Sequence, residues 1–342
     1  RAVEIYQTLA KGDSAAYLPD LAMSLNNLAI RLSETGDRQG ALEPARRAVE
    51  IYQTQATGNS AAYLPYFARS LNNLANRLSE TGDRQGAVEP ARRAVEIRER
   101  LANDNPAVYL PDLAASLNNL AIRLGETGDR QGALEPARRA VEIRETLAQD
   151  NPAAYRPDLA GSLNNLAVLL SETGDSLGAQ GPARRAIEIY QTLAQDNPAA
   201  YRPDLAACLN NLANRLSETG DRQGALEPAR RAVEIREMLA KDNPAAYLPD
   251  LAGSLNNLAN RLSETGDRQE AREMAHRAVE IYQALATDNS AAYLHFLALS
   301  LNNLALRLSE TGDRQEAREM ARRAVEIYQT LAQDNPAAYL PD

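Results

Sequence analysis

Leucine recurs at helical spacing in the first half of a unit that is copied along the chain. In the first copy, Leu21, Leu25, Leu28 and Leu32 follow one another at intervals of four, three and four residues, which places them on one side of an α-helix. Pro19 suits the first turn of a helix, where its missing N–H is not required. The pattern therefore predicts a helix, here called helix A, that begins at Pro19.

A second amphipathic pattern follows after a tight turn. Gly36 can take a positive φ and end helix A, and Asp37 can cap the next helix. Helix B is predicted between about Arg38 and Ala56. Its inner face is predicted to comprise Ala41, Ala45, Ala48 and Tyr52.

The segment between helix B and the next helix A is polar. Residues 148–155, which read AQDNPAAY, typify it. Asparagine and proline in such a run favour a turn. The pattern predicts a loop here, and this loop is taken as the reason why the unit is long.

The whole unit is repeated. The string LNNLA occurs seven times at a period of 46 residues, beginning at Leu25, Leu71, Leu117, Leu163, Leu209, Leu255 and Leu301. A fixed period of this length is typical of a solenoid. We predict a single domain over 1–342, with the end of a preceding repeat at 1–18, about seven helix pairs over 19–332 and the start of a following repeat at 333–342. Because both ends fall inside a repeat, we expect the chain to be a fragment of a longer protein.

These residues resemble a known repeat family. The matching positions are Asn27-Leu28-Ala29, Leu32, Gly36-Asp37, Ala41 and Ala48, which correspond to the tetratricopeptide repeat signature. The run GDRQGALEPARRAVEI after LNNLA resembles kinesin light chain repeats and the arrays of large bacterial signalling proteins that carry NTPase or caspase-like domains. The resemblance implies an all-α fold: an α-solenoid of antiparallel helix pairs in a right-handed superhelix, with helices A lining a concave groove. The period is longer than the usual ~34 residues.

Composition argues against several classes of function. The net charge is −9, and Arg and Glu alternate within each repeat, so no basic track for nucleic acid is expected. No apolar run approaches the roughly 18 residues of a membrane span. A single cysteine, Cys208, excludes internal disulfides and fits a reducing compartment, which predicts a cytoplasmic location.

Chemistry-bearing residues are sparse. The chain has two histidines, His276 and His295, and it lacks a metal-spaced cluster, a phosphate loop and a paired nucleophile and base. The sequence therefore predicts no enzymatic activity, no metal and no cofactor.

A helical wheel centred on Leu28 places Asn26 opposite the core. In the resembling family that side is the groove, where asparagines pair with the backbone of a bound peptide. The first asparagine column is Asn26, Asn72, Asn118, Asn164, Asn210, Asn256 and Asn302. Two interpretations stay open: peptide binding, or bonds among the asparagines or to water. The second asparagine column, from Asn27 to Asn303, is predicted to contact an adjacent helix.

Positions that differ among near-identical repeats are candidates for ligand selectivity. The most variable groove position reads Ile30, Asn76, Ile122, Val168, Asn214, Asn260 and Leu306. Arg69 is the only cation at the position equivalent to Met23. We predict that Asn76, Asn214, Asn260 and Arg69 help to select a peptide, with neutral drift as the alternative.

Prolines are predicted to bend five of the B helices. Each lies inside a predicted helix B and has a glycine four residues earlier, which relieves the steric conflict with the carbonyl at that position. The prolines are Pro44, Pro90, Pro136, Pro182 and Pro228. Repeats six and seven lack both residues and are predicted to be straight.

The leading hypothesis is a non-catalytic scaffold that binds a peptide or protein segment in the groove. One alternative is a regulatory or sensor arm that controls an NTPase or caspase-like effector domain elsewhere in a longer protein. Another is a structural spacer that associates head to tail with itself. All three predict a protein partner, and none predicts nucleic acid or membrane.

Overall fold

The structure, a computed structural model, describes residues 1–334, which form fifteen α-helices. They are α1 Ala2–Gly12, α2 Ser14–Glu34, α3 Leu42–Gly58, α4 Ser60–Glu80, α5 Arg84–Asp104, α6 Pro106–Glu126, α7 Arg130–Asp150, α8 Pro152–Glu172, α9 Ser176–Asp196, α10 Pro198–Glu218, α11 Leu226–Asp242, α12 Pro244–Thr265, α13 Arg268–Asp288, α14 Ser290–Thr311 and α15 Arg314–Asp334. Of the predicted start of a following repeat, residues 335–342 lie outside the described residues.

The chain divides into two compact units, Arg1–Thr173 and Gly174–Asp342. In each unit the even-numbered helices are helices A and the odd-numbered ones are helices B. Consecutive helices within a unit pack on each other, and each helix A also contacts the next helix A. Each unit is therefore an α-solenoid of antiparallel helix pairs, which confirms the predicted all-α fold class.

The turn from helix A to helix B follows the predicted chemistry. Gly36 has a φ of 92°, in the left-handed region that favours glycine. The carboxylate of Asp37 then accepts a hydrogen bond from the Gly40 N–H at 2.8 Å. A Cβ on Gly40 would collide with that carboxylate, so this glycine serves the cap. Where Glu270 replaces it in repeat six, Asp267 makes no such cap.

The prolines of helix B do not all lie where they were predicted. Because α3 and α11 begin at Leu42 and Leu226, Pro44 and Pro228 lie in the first turn, so the prediction of an interior position is wrong for repeats one and five. Pro90, Pro136 and Pro182 lie inside their helices, and their bends stay a prediction.

The predicted loop between helices B and A is wrong. Helix α7 continues to Asp150 and α8 begins at Pro152, which leaves only Asn151 between them. Asn151 is extended, with φ −139°, and its side chain accepts a hydrogen bond from the Ala154 N–H. Helix A thus begins earlier than predicted, and Pro19 lies in its second turn. Two long helices, and not a loop, produce the 46-residue period.

The predicted core positions are buried, with one instructive exception. Leu21, Leu25 and the alanines of the helix B inner face are almost fully covered. Leu28 is 37% exposed, whereas its equivalents in the later repeats are at most 8% exposed. Helix α2 is the first helix A, so no preceding helix A covers Leu28.

Tyrosine and arginine alternate at one buried helix B position and match their partner on the next helix A. Tyr52 stacks on Tyr66 with ring centroids 5.6 Å apart. Arg98, at the equivalent position, pairs with Asp112 at 2.5 Å. Tyr52 donates to the Pro19 carbonyl at 3.1 Å, and Arg98 donates to the equivalent Pro65 carbonyl at 3.1 Å. The two solutions satisfy the same acceptor.

We expect Leu120→Ala to lower the free energy of unfolding by about 3 kcal/mol, since it removes a buried side chain and leaves a cavity. Leu28→Ala, at the equivalent but half-covered position, should cost less than half as much. Urea unfolding of both variants measures the difference. Equal losses would contradict the assignment of Leu28 to an uncovered end of the stack.

The phenol of Tyr52 gives a second expectation. Burial, followed by the neighbouring Tyr66, raises its pKa from about 10 to about 12. Its neutral form therefore stabilises the fold fully below about pH 10, and this stability is lost as the pH rises towards 12. In urea unfolding across this range, Tyr52→Phe should show a shallower decline than wild type. Leu28→Ala, destabilised by another route, should keep the wild-type slope.

Candidate binding surface

Variable side chains on helices A are accessible in both units. Met23, Arg69 and Leu306 are exposed, and the Arg69 guanidinium lies 5.8 Å from the Tyr66 ring centroid. The amide members of the variable position are the half-buried Asn76, Asn214 and Asn260. Among the described residues, none of these three amides has a hydrogen-bond partner. This surface is called the variable row below.

The first asparagine column lies between helices A, and its predicted position opposite the core is wrong. Asn26 is 6% exposed, and its Nδ2 donates to Ser70 Oγ on the next helix A at 2.6 Å. Equivalent bonds of 2.6 to 2.7 Å join Asn72 to Ser116, Asn210 to Ser254 and Asn256 to Ser300. A wheel with one core direction misplaces these side chains because helix A is covered on its side by the next helix A.

The remaining members of this column differ locally. Asn118 accepts from Asn165 Nδ2 at 3.1 Å and from Ser162 Oγ at 3.3 Å. Asn164 is half-buried and Asn302 is exposed. Within residues 1–334 no helix A follows α14, so Asn302 has no serine to bind.

The second asparagine column is more accessible than predicted. Asn27 is exposed, and the later members are half-buried. The bond from Asn165 to Asn118 on the preceding helix A confirms the predicted helix contact for that member. Asn119, by contrast, borders the cavity described below.

A serine, a glutamate and an arginine join the ends of successive helices A. Ser79 Oγ donates to Glu126 Oε2 at 2.6 Å, and Arg123 pairs with the same carboxylate at 3.0 Å. We call this arrangement the clasp. It recurs at Ser33–Glu80–Arg77, Ser217–Glu264–Arg261 and Ser263–Glu310–Arg307. The clasp holds each glutamate in two interactions, so that carboxylate is already occupied when another cation lies nearby.

The clasp is absent between repeats three and four, and two sequence departures explain its loss together. Gly125 replaces the serine and Leu169 replaces the arginine. Leu169 is buried, and a Cβ on Gly125 would lie 3.2 Å from its Cδ2. Glu172, left without its usual partners, pairs with Arg130 at 3.3 Å.

A cavity of about 630 Å³ lies in unit 1 beside two clasps. Arg38 and Arg84 come from the two A-to-B turns, and Asn76 and Asn119 come from α4 and α6. Among the described residues, none of these four side chains has a hydrogen-bond or ion-pair partner. The cavity therefore presents two guanidinium groups and two amides to a ligand.

Elsewhere the described residues offer little chemistry. No group of three or more His, Cys, Asp or Glu within them is placed to hold a metal ion. Cys208 is buried, and burial raises the pKa of its thiol to about 12, which disfavours the reactive thiolate. No described helix is long and apolar enough to cross a membrane.

Models of the tetratricopeptide repeat match most of the chain, at residues 21–54, 67–107, 113–153, 159–199, 205–245 and 250–330. The chain belongs to the tetratricopeptide repeat (TPR) family. Such repeats generally mediate protein–protein interaction and typically form non-enzymatic scaffolds. No curated protein sequence matches the chain significantly.

Several solved TPR structures share the fold. BtubC (BKLC) from P. vanneervenii is 24% identical, with a TM-score of 0.57 over 75% of this chain and 92% of that one. A putative kinesin light chain from Podospora anserina with nearly identical TPR-like repeats is 22% identical, with a TM-score of 0.50 over 66% and 98%.

A signal transduction ATPase (STAND) with a TPR sensor from Pyrococcus horikoshii is 13% identical, with a TM-score of 0.64. The match covers 98% of this chain and 45% of that one. At these identities the likenesses establish the fold of the TPR chain and nothing about its ligand.

A double-mutant cycle tests the coupling of the two departures in repeats three and four. Gly125→Ser should destabilise unit 1, because its side chain meets Leu169, and Leu169→Arg should leave a cation without the serine of its clasp. The double variant should recover about 1 kcal/mol relative to the sum of the singles, measured by urea unfolding. Additive effects would show that the two departures are independent.

Proposed function

We propose that this TPR chain is a non-catalytic scaffold that binds a peptide or protein segment along the variable row. The observation that carries the proposal is the cavity of about 630 Å³ in unit 1, whose two arginines and two asparagines lack partners among the described residues. Buried or half-buried polar groups normally find a partner. An incoming polypeptide would supply one.

The chemistry of the row suits an extended segment with some acidic character. An asparagine amide offers both donors and acceptors, so Asn76 and Asn119 can pair with a peptide backbone. Arg38 and Arg84 can form charge-assisted bonds with a carboxylate. Asn214, Asn260 and Arg69 extend the same chemistry to other repeats.

The first asparagine column contributes to the proposed site in two ways. Asn302 is exposed and can contact a ligand directly. The members that bond to serine hold successive helices A at a set spacing, as Asn72 does through Ser116. A ligand that spans several helices A depends on that spacing.

Peptide selection tests the proposal. Random peptides displayed on phage are selected on the wild-type chain, and the affinities of the enriched synthetic peptides are measured by calorimetry. The variant Asn76→Ile, Asn214→Ile, Asn260→Ile should bind them at least tenfold more weakly, which corresponds to about 1.4 kcal/mol. Isoleucine occupies the equivalent position in repeats one and three, so the fold should persist, as thermal unfolding can verify.

The control carries Arg92→Gln, Glu96→Gln and Arg100→Gln, three exposed positions on α5, and should retain wild-type affinity. Unchanged binding by the isoleucine variant, or an absence of enriched peptides, would overturn the proposal.

A further inference from the structure

The residues that line the cavity in unit 1 recur four repeats later, in unit 2. At an offset of 184 residues, all nine lining positions have the same identity. Those that present charge or amides are Arg38, Asn76, Arg84, Asn119 and Arg123, which correspond to Arg222, Asn260, Arg268, Asn303 and Arg307. Near-identity of repeats alone does not produce this match, because several of these positions vary elsewhere.

The local backbone recurs at the same offset. Helices α3 and α11 begin late, at Leu42 and Leu226, whereas the other described helices B after α1 begin next to the capping aspartate. Ala41 and Ala225, which precede them, have φ and ψ of −74° and −21°, and of −74° and −22°. Arg38 and Arg222 therefore share a turn conformation that the other described repeats do not adopt.

The surrounding polar contacts recur as well. Ser79 bonds to Glu126 at 2.6 Å, and Ser263 bonds to Glu310 at 2.7 Å. The clasps occupy the glutamates of both places, and within residues 1–334 the four arginines Arg38, Arg84, Arg222 and Arg268 have no ion-pair partner. Each place therefore offers two available guanidinium groups.

The intervening repeats do not provide the full set. One repeat after the first place, Ile122 replaces the asparagine and Arg130 pairs with Glu172. The next repeat has Val168 at the asparagine position. The repeat after that keeps Asn214 but has Ser176 instead of the first arginine. Across the described repeats, the complete donor set occurs twice, once in each unit.

We propose that the chain carries two equivalent binding sites, one in each unit, and that each takes a short polypeptide segment bearing a carboxylate. One chain would then bind two identical segments, from one partner with a repeated motif or from two partner molecules. This inference rests on the proposed function and adds its stoichiometry and ligand chemistry. The guanidinium groups recognise the carboxylate and the asparagines recognise the backbone.

Calorimetry with a peptide enriched on the full chain tests the inference. Wild type should bind two peptides per chain. Asn76→Ile and Asn260→Ile should each bind one, and the double variant should bind none. Asn214→Ile, the same change at an incomplete position, should still bind two. Replacement of acidic side chains by amides in one peptide, and amidation of the C-terminus in another, should identify which carboxylate is recognised.

A second pair of variants checks the charge without altering the asparagines. Arg38→Ser and Arg222→Ser each introduce the residue that repeat four carries at this position, and each should remove one site. A wild-type stoichiometry of one, or a loss of both sites in one single variant, would overturn the inference while leaving peptide binding intact. A chain that enriches no peptide would overturn the proposed function and this inference together.

Discussion

Contact between successive A helices is the constraint on which the rest of this molecule depends. Each helix A buries leucine and alanine against its own helix B, and it must also meet the next helix A closely enough for an asparagine to reach a serine, as Asn26 reaches Ser70 at 2.6 Å. That bond satisfies polar groups that the stacking removes from water, and leaving them unpaired would cost ~1–3 kcal/mol each. Because the same contact recurs along a unit, its geometry sets the spacing of every side chain on the variable row.

The clasp links this packing to electrostatics. Each clasp places a glutamate under a serine and an arginine at the ends of two helices A, as Glu126 lies under Ser79 and Arg123. With its carboxylate occupied, a neighbouring arginine such as Arg84 has no ion-pair partner among the described residues. Where Gly125 and Leu169 remove the clasp, Glu172 pairs with Arg130 instead. A structural contact thereby decides which repeats retain a cation for a ligand.

Near-identical repeats also reveal which departures belong together. Gly125 and Leu169 fit each other sterically, and Tyr66 and Phe296 stand where the preceding helix B offers Tyr52 and Tyr282 for stacking. Arg98 and Arg236 meet Asp112 and Asp250 at the equivalent position. The aromatic and charged pairs each lie 14 residues apart in the chain, so comparing that spacing among the repeats is enough to identify them by sequence.

Local spacing in the sequence was sufficient for the helical period, the register of the repeats, the buried leucine and alanine positions and the glycine turns, because each depends on near neighbours or on a single backbone conformation. It misassigned the segment around Asn151, since the composition of a one-residue break between two long helices is the same as that of a loop. It also misassigned the first asparagine column, because a helical wheel has one core direction whereas a stacked helix has several neighbours. Packing across repeats settles which polar groups the stacking consumes and which, such as Arg38 and Asn76, face a cavity, since that depends on side chains 40 to 50 residues apart meeting each other.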